Sequence, residues 1–115
     1  MTTPRRVPAR GDAWWLTLDP ALGHEQRGRR PVVVLSPAAY NQRTGMMLCC
    51  PVTNQQKGYP FEVALPEGIG IQGVALTDQM KSVDWNQRSA EFIAGLPAEL
   101  VRALLERARV MLADE

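Results

Sequence analysis

Apolar residues recur along this chain in short runs separated by polar turns, a pattern typical of a protein built from many short strands. The run at 31–36 contains three consecutive valines and predicts a strand buried on both faces. The run at 61–65 alternates apolar and polar residues, as a half-exposed strand does. Strands are predicted in this way at residues 13–18, 31–36, 46–52, 61–65, 73–76, 79–83 and 91–94.

The hydrophobic period changes after Pro97 and predicts an amphipathic C-terminal helix. Pro97 suits the first helical position, and Glu99 complements the helix dipole in the first turn. A short helical piece is also expected within the polar segment 38–45. The pattern therefore predicts a mostly β fold, a small barrel closed by a helix. The apolar face of that helix is formed by Leu100, Val101, Leu104, Leu105, Ala108, Met111 and Leu112.

Size and charge limit the possible functions. A chain of 115 residues predicts one domain at residues 11–115, after a flexible lead-in at residues 1–10. A domain of this size gains from a subunit interface that buries apolar surface. The net charge of +1 gives no global electrostatic case for nucleic acid, so such a site must be a local patch. Two arginine clusters offer patches, although a solvated face is the commoner explanation: Arg5, Arg6 and Arg10, and Arg27, Arg29 and Arg30.

Cysteine and histidine content argues against a metal site. Cys49 and Cys50 are adjacent, a strained spacing for a disulfide, so two reduced strand residues are expected. His24 is the only histidine and no Cys-x-x-Cys spacing exists, so we expect no zinc and no other cofactor. No apolar run approaches the ~18 residues of a membrane span. A cytoplasmic protein without membrane contact is expected.

A charged loop, residues 23–31 (GHEQRGRRP), leads directly into the valine-rich strand. With residues 11–15 (GDAWW), 51–53 (PVT) and 57–63 (KGYPFEV), this loop resembles the MazF/PemK toxins of bacterial toxin–antitoxin pairs. The resemblance runs from Gly11 into the C-terminal helix. It implies an SH3-like barrel of the MazF/CcdB type, a homodimer, and an endoribonuclease that cuts single-stranded RNA, with mRNA as the expected substrate. It also implies a cognate antitoxin whose disordered, acidic C-terminal segment covers the basic groove.

The expected chemistry needs few protein groups, because RNA supplies its own nucleophile, the 2′-hydroxyl. Glu25 is the expected base, since the single histidine cannot provide an acid–base pair unless two subunits share a site. The planar guanidinium of Arg30 can stabilise charge on the phosphorane, and the Thr53 hydroxyl either bonds a phosphate oxygen or satisfies a turn. The family implicates a loop glutamate, the arginine before the strand proline and a strand-end threonine in catalysis, and these three residues match them. Where the family can carry a histidine before that arginine, this chain has Arg29.

Recognition of single-stranded RNA needs planes on which bases stack and polar groups for base edges. Because Trp14 and Trp15 are consecutive in a strand, they face opposite sides and at least one is expected in the core. The lysines are equally well explained by ordinary solvation. The candidates are Trp15, Tyr59 and Trp85 for stacking, Asn41, Gln55 and Gln79 for base edges, and Arg29, Lys57 and Lys81 for phosphate or base contact.

Two other functions fit the same fold. A CcdB-like toxin acts by trapping DNA gyrase without catalysis, and fold alone does not separate it from a nuclease. An SH3-like adaptor would use Trp15 and Tyr59 to bind proline-rich peptide, but such grooves are usually acidic. The matching set of Glu25, Arg30 and Thr53 favours a sequence-specific, metal-independent endoribonuclease. Its expected products are a 2′,3′-cyclic phosphate and a 5′-hydroxyl.

Overall fold

The computed structural model describes residues 6–17 and 28–113. Each predicted strand is present there, with bounds shifted by at most two residues. The valine-rich strand begins at Arg29, two residues before the predicted start, and therefore includes both arginines. The strands are β1 (Asp12–Thr17), β2 (Arg29–Val34), β3 (Met46–Thr53), β4 (Glu62–Ala64), β5 (Val74–Leu76), β6 (Lys81–Asp84) and β7 (Glu91–Gly95), and the helices are α1 (Ala38–Thr44) and α2 (Ala98–Leu112).

The strands pair in antiparallel fashion in the order β4-β5-β3-β2-β1-β7, and β6 pairs with the first half of β3. The mostly β fold with a C-terminal helix is confirmed. Strands β4 and β7 lie at opposite ends of this order, so the described strands do not close into a continuous barrel. The long strand β3 bends the arrangement, because its two halves pair with different neighbours, β6 and β5.

The core is divided between the two faces of the sheet. Val32 and Val34 of β2 pack with Trp14 and Leu16 on one face. Val33 and the following Leu35 pack on the other face, together with Leu104 of α2. This arrangement confirms the predicted burial of the valine-rich strand on both faces, because successive side chains of a strand point to opposite sides.

Helix α2 covers the second of these faces and buries Leu104 and Ala108. Pro97 is its N-cap residue rather than its first helical residue, which corrects the predicted start by one position. The apolar surface continues past the covered part, because Val110, Met111 and Leu112 are exposed in the last turn. Neither helix of the described chain is long and apolar enough to cross a membrane.

Part of the expected lead-in is packed on the sheet. Pro8 is fully buried, and Val7 packs against the first core cluster. The Asp12 carboxylate accepts hydrogen bonds from the Ala9 backbone N–H and from Nε1 of Trp14, at 2.9 and 3.1 Å. Residues 6–10 are therefore held in place by these contacts instead of forming a loose segment, and residues 1–5 lie outside the described residues.

Candidate active site

A cleft of about 620 Å³ opens where β2 begins and β3 ends. Antiparallel pairing of these strands brings the start of one next to the end of the other, and so places Arg30 and Thr53 in the same cleft. Three further predicted RNA contacts, Trp15, Arg29 and Gln55, also line it. Its described lining is Trp15, Arg29, Arg30, Pro31, Val52, Thr53, Asn54, Gln55, Gly70, Ile71 and Gln72.

The hydroxyl of Thr53 organises the start of the following loop. Its Oγ1 accepts a hydrogen bond from the backbone N–H of Gln55 at 3.1 Å. A hydroxyl can accept and donate at once, so the Thr53 hydroxyl can still donate a hydrogen bond to an anionic oxygen in the cleft. The turn role and the proposed phosphate contact are therefore compatible.

The third wall of the cleft is the loop before β5, which sequence reasoning did not include. Gly70, Ile71 and Gln72 line the cleft, and the next residue, Gly73, has a φ of +121°. A Cβ at Gly73 would collide with the carbonyl oxygen of Thr53, so this close approach requires glycine. The signal in the sequence was the cluster of glycines at 68, 70 and 73, all of which adopt positive φ. Gln72, which is exposed, is thereby placed in the lining of the cleft.

Arg29 is fixed by two neighbours at the β1 side of the cleft. Its Nη2 donates to Oε1 of Glu91 at 2.5 Å, and its Cζ lies 4.8 Å from the centroid of the Trp15 ring. These contacts join β2, β7 and β1. A guanidinium near an indole face gains cation–π attraction in addition to the ion pair.

The predicted general base, Glu25, lies outside the described residues, as do His24 and Arg27. The described chain resumes at Gly28, directly before Arg29 and Arg30.

Four of the predicted RNA contacts are exposed but do not line the cleft. Lys57 and Tyr59 belong to the loop after β3, where the Tyr59 ring stacks on Phe61 with centroids 5.2 Å apart. The Glu62 carboxylate holds this loop by accepting from the backbone N–H groups of Lys57 and Gly58. Lys81 is more remote, because it begins β6, which pairs with the half of β3 opposite to Thr53, and Gln79 lies two residues before it.

Burial removes Asn41 and Trp85 from the predicted RNA-binding set. Asn41 is fully buried, and its Nδ2 donates to the carbonyls of Pro8 and Ser36 while its Oδ1 accepts from the Ser36 hydroxyl. Trp85 is 4% exposed and its Nε1 donates to the carbonyl of Asn41. Both side chains hold α1 and the N-terminal segment against the sheet. This structural role accounts for the two residues that the sequence assigned to RNA recognition.

Cys49 and Cys50 are both free and buried, as expected for reduced strand residues. They point into different core clusters. Burial raises the pKa of the Cys49 thiol to about 12, against a smaller lowering by Lys81 and Arg88. Burial and the neighbouring Cys49 raise the pKa of Cys50 to about 12 as well. Both are therefore neutral thiols near pH 7 and unsuited to nucleophilic work.

Within residues 6–17 and 28–113, no three His, Cys, Asp or Glu side chains are grouped as metal ligands.

Comparison with known proteins gives a consistent result. Residues 9–112 match the family model described as PemK-like, MazF-like toxin of type II toxin-antitoxin system. The chain is 57% identical over 86 residues to the endoribonuclease toxin MazF of Escherichia coli K12, which spans 75% of this chain and 77% of that protein. A crystal structure of MazF from Deinococcus radiodurans is 49% identical with a TM-score of 0.84, covering 94% of this chain and 98% of that one. A MazE-MazF structure from the same organism is 44% identical with a TM-score of 0.83, covering 94% and 97%.

Proposed function

The chain belongs to the PemK-like, MazF-like toxin family of type II toxin–antitoxin systems, and from this membership we propose that it is an endoribonuclease toxin cutting single-stranded RNA at chosen sequences. The observation that carries the proposal is the shared cleft of Arg30 and Thr53. These residues come from different strands, and the cleft between them also contains an aromatic ring and several amide groups. Such a surface suits a single strand of RNA, whose bases are free to stack and to be read at their edges.

The proposed reaction is an internal transfer at phosphorus that needs no metal. The 2′-oxygen attacks the adjacent phosphorus as Glu25 takes its proton, and the bond from phosphorus to the 5′-oxygen breaks. The departing 5′-oxygen takes up a proton, so the products are a 2′,3′-cyclic phosphate and a 5′-hydroxyl. The Arg30 guanidinium stabilises the charge that develops on the phosphorane oxygens, and the Thr53 hydroxyl donates to one of them.

Recognition is assigned to the residues around the cleft. Trp15 and Arg29 provide stacking surfaces, and Gln55 and Gln72 provide amides for base edges. Lys57 and Tyr59 extend this surface along the exposed loop after β3. The RNA strand would thus run from the start of β2 across the end of β3.

The protein partner proposed from the family is a cognate antitoxin in the cytoplasm, whose disordered acidic segment lies across the cleft and blocks RNA. A segment that folds on binding can cover a large surface. Titration with the product of the adjacent gene should abolish cleavage at saturation. Full activity in the presence of saturating antitoxin would contradict this part of the proposal.

A homodimer is proposed with the exposed end of α2 in its interface. Leu112 is 75% exposed and borders a mostly apolar groove of about 600 Å³ that also contains Leu48, Met80 and Leu105. Leu112→Asp should lower self-association in sedimentation equilibrium, because it introduces a charge into apolar surface. An unchanged monomer–dimer equilibrium would place the interface elsewhere.

The experiment that tests the activity is incubation with a long unstructured RNA in EDTA, followed by mapping of every new 5′ end. The wild type should give discrete cuts, which Glu25→Ala and Arg30→Ala should abolish. Arg102→Ala is the matched control, since it removes an exposed arginine from α2, away from the cleft. Intact RNA with a folded wild-type protein would refute the endoribonuclease activity. Gyrase binding, which the endoribonuclease relatives do not favour, would then be the next hypothesis.

A further inference from the structure

Glu91 is an exposed carboxylate beside a cleft proposed to bind a polyanion. It lies on β7 directly opposite Trp15 of β1, and Trp15 is in turn opposite Pro31 of β2. Residues opposite each other in an antiparallel pair share a face of the sheet, as do residues two apart on one strand. Glu91, Trp15 and Arg29 therefore stand on one face, in adjacent strands.

The contacts among these three residues fix the orientation of the Arg29 side chain. Arg29 and Trp15 line the cleft, whereas Glu91 is not among its lining residues. The carboxylate reaches Nη2 of Arg29 at 2.5 Å from outside the cleft, and the guanidinium carbon lies 4.8 Å from the Trp15 ring centroid. Glu91 and Trp15 thus hold a long side chain that has several rotatable bonds and that would otherwise sample many positions.

Stability does not account for this ion pair. The side chains of Arg29 and Glu91 are 42% and 67% exposed, and exposed pairs contribute little to folding. A carboxylate near bound phosphates also opposes RNA binding by charge repulsion. Glu91 therefore lowers the affinity for RNA by repulsion, and its orientation of the Arg29 guanidinium would offset this loss.

We propose that Glu91 is a positioning residue, which holds the Arg29 guanidinium against Trp15 so that the two form a stacking surface for one RNA base. The inference rests on the proposed function and extends it to a residue outside the cleft. Bases stack on guanidinium planes as well as on aromatic rings, so the fixed pair would hold one base beside the cut. Glu91 acts through Arg29 and does not touch the RNA.

The test compares Glu91→Ala, Glu91→Gln, Arg29→Ala and the double variant Arg29→Ala/Glu91→Ala. A defined oligonucleotide gives kcat and KM, and a long RNA gives the distribution of cut sites. An otherwise identical oligonucleotide with a 2′-deoxy group at the scissile position measures binding without cleavage. Glu106→Ala is the matched control, because it removes the carboxylate of another exposed arginine pair, Arg109–Glu106 on α2.

Glu91→Ala should raise KM and the Kd of the deoxy oligonucleotide about two- to fivefold, with kcat unchanged. The distribution of cut sites should change little, because a stacking surface accepts every base. Glu91→Gln should raise KM and Kd less than Glu91→Ala does, since its amide oxygen can still accept a hydrogen bond from Arg29. In the Arg29→Ala background, loss of Glu91 should have no further effect, because the two residues act as a unit.

Tighter RNA binding in both Glu91→Ala and Glu106→Ala would overturn the proposal, because it would mean that only charge matters. Equal effects of Glu91→Ala with and without Arg29 would also overturn it. A wild type that binds the deoxy oligonucleotide in a Glu91-dependent way but leaves RNA uncut would refute the nuclease and keep the positioning role. A wild type that does not bind RNA would refute both.

Discussion

Gly73 packs against the carbonyl group of Thr53 so closely that no side chain fits between them. Thr53 ends β3 and Gly73 precedes β5, and Thr53 is paired in the ladder with Val74, the residue after Gly73. The contact brings the loop containing Gln72 to the cleft. The shape of the cleft therefore depends on a glycine that takes no part in the proposed chemistry.

Gly73→Ala should lower both stability and activity. Alanine at a φ of +121° is strained by about 1–3 kcal/mol, and its Cβ would also displace the carbonyl of Thr53. Urea denaturation measures the first effect and RNA cleavage the second. Gly68→Ala is the control, because Gly68 has a φ of +85° with open space around its Cβ position. Equal losses in the two variants would show that backbone strain alone, and not the contact with Thr53, is responsible.

Asn41→Ala should destabilise the protein while leaving its KM for RNA unchanged under folding conditions. The substitution leaves the carbonyls of Pro8 and Ser36 without the amide that binds them, at a cost of about 1–3 kcal/mol for each group left unpaired. The free energy of unfolding is measured by denaturation and KM by cleavage of an oligonucleotide. Gln42→Ala on the exposed side of α1 is the control. A raised KM without loss of stability would restore Asn41 as an RNA contact.

The sequence was informative where local pattern and tertiary structure agree. The valines of β2 and the turn residues around them predicted a buried strand, and the position of Arg30 at its start followed from the same pattern. The end of β3 was predicted within one residue, so antiparallel pairing alone brings Arg30 near Thr53.

The sequence was less informative where a side chain serves distant parts of the chain. Asn41 lies in a polar segment that is typical of a surface turn, and its burial depends on Pro8 and Trp85, which are far from it in sequence. The loop with Gln72 carries no catalytic pattern, and only the Gly73 contact brings it to the cleft. The Glu91–Arg29 pair likewise needs the register between β1 and β7, which no periodicity specifies.

The two cysteines should be unreactive in the folded protein at pH 8. Their pKa values of about 12 keep both thiols neutral, and burial prevents access. Reaction with a thiol-specific chromogenic disulfide should be absent in buffer and should reach two thiols per chain in denaturant. Rapid reaction of either cysteine in buffer would contradict the burial seen here.

The same thiols make stability depend on alkaline pH. In the unfolded chain they ionise near a pKa of 8.5, whereas folding holds the proton up to about 12. Their contribution is thus fully present below about pH 8.5 and is lost as the pH rises toward 12. Cys49→Ala/Cys50→Ala should show a shallower fall in unfolding free energy over this range than the wild type. Parallel curves would show that the two thiols do not cause the alkaline loss.

Glu62→Ala should release the loop after β3 and expose it to trypsin. The Glu62 carboxylate accepts from the backbone N–H of Lys57 at 3.1 and 3.2 Å and from that of Gly58 at 2.9 Å. These bonds fix the backbone at Lys57, where trypsin cuts after the lysine, and a protease needs a locally opened segment. Limited proteolysis with mass spectrometry should show faster cleavage after Lys57 in Glu62→Ala than in the wild type. Glu67→Ala, which removes another exposed carboxylate, should leave this rate unchanged. Equal rates in Glu62→Ala and the wild type would mean that the stacked Tyr59 and Phe61 rings hold the loop without the carboxylate.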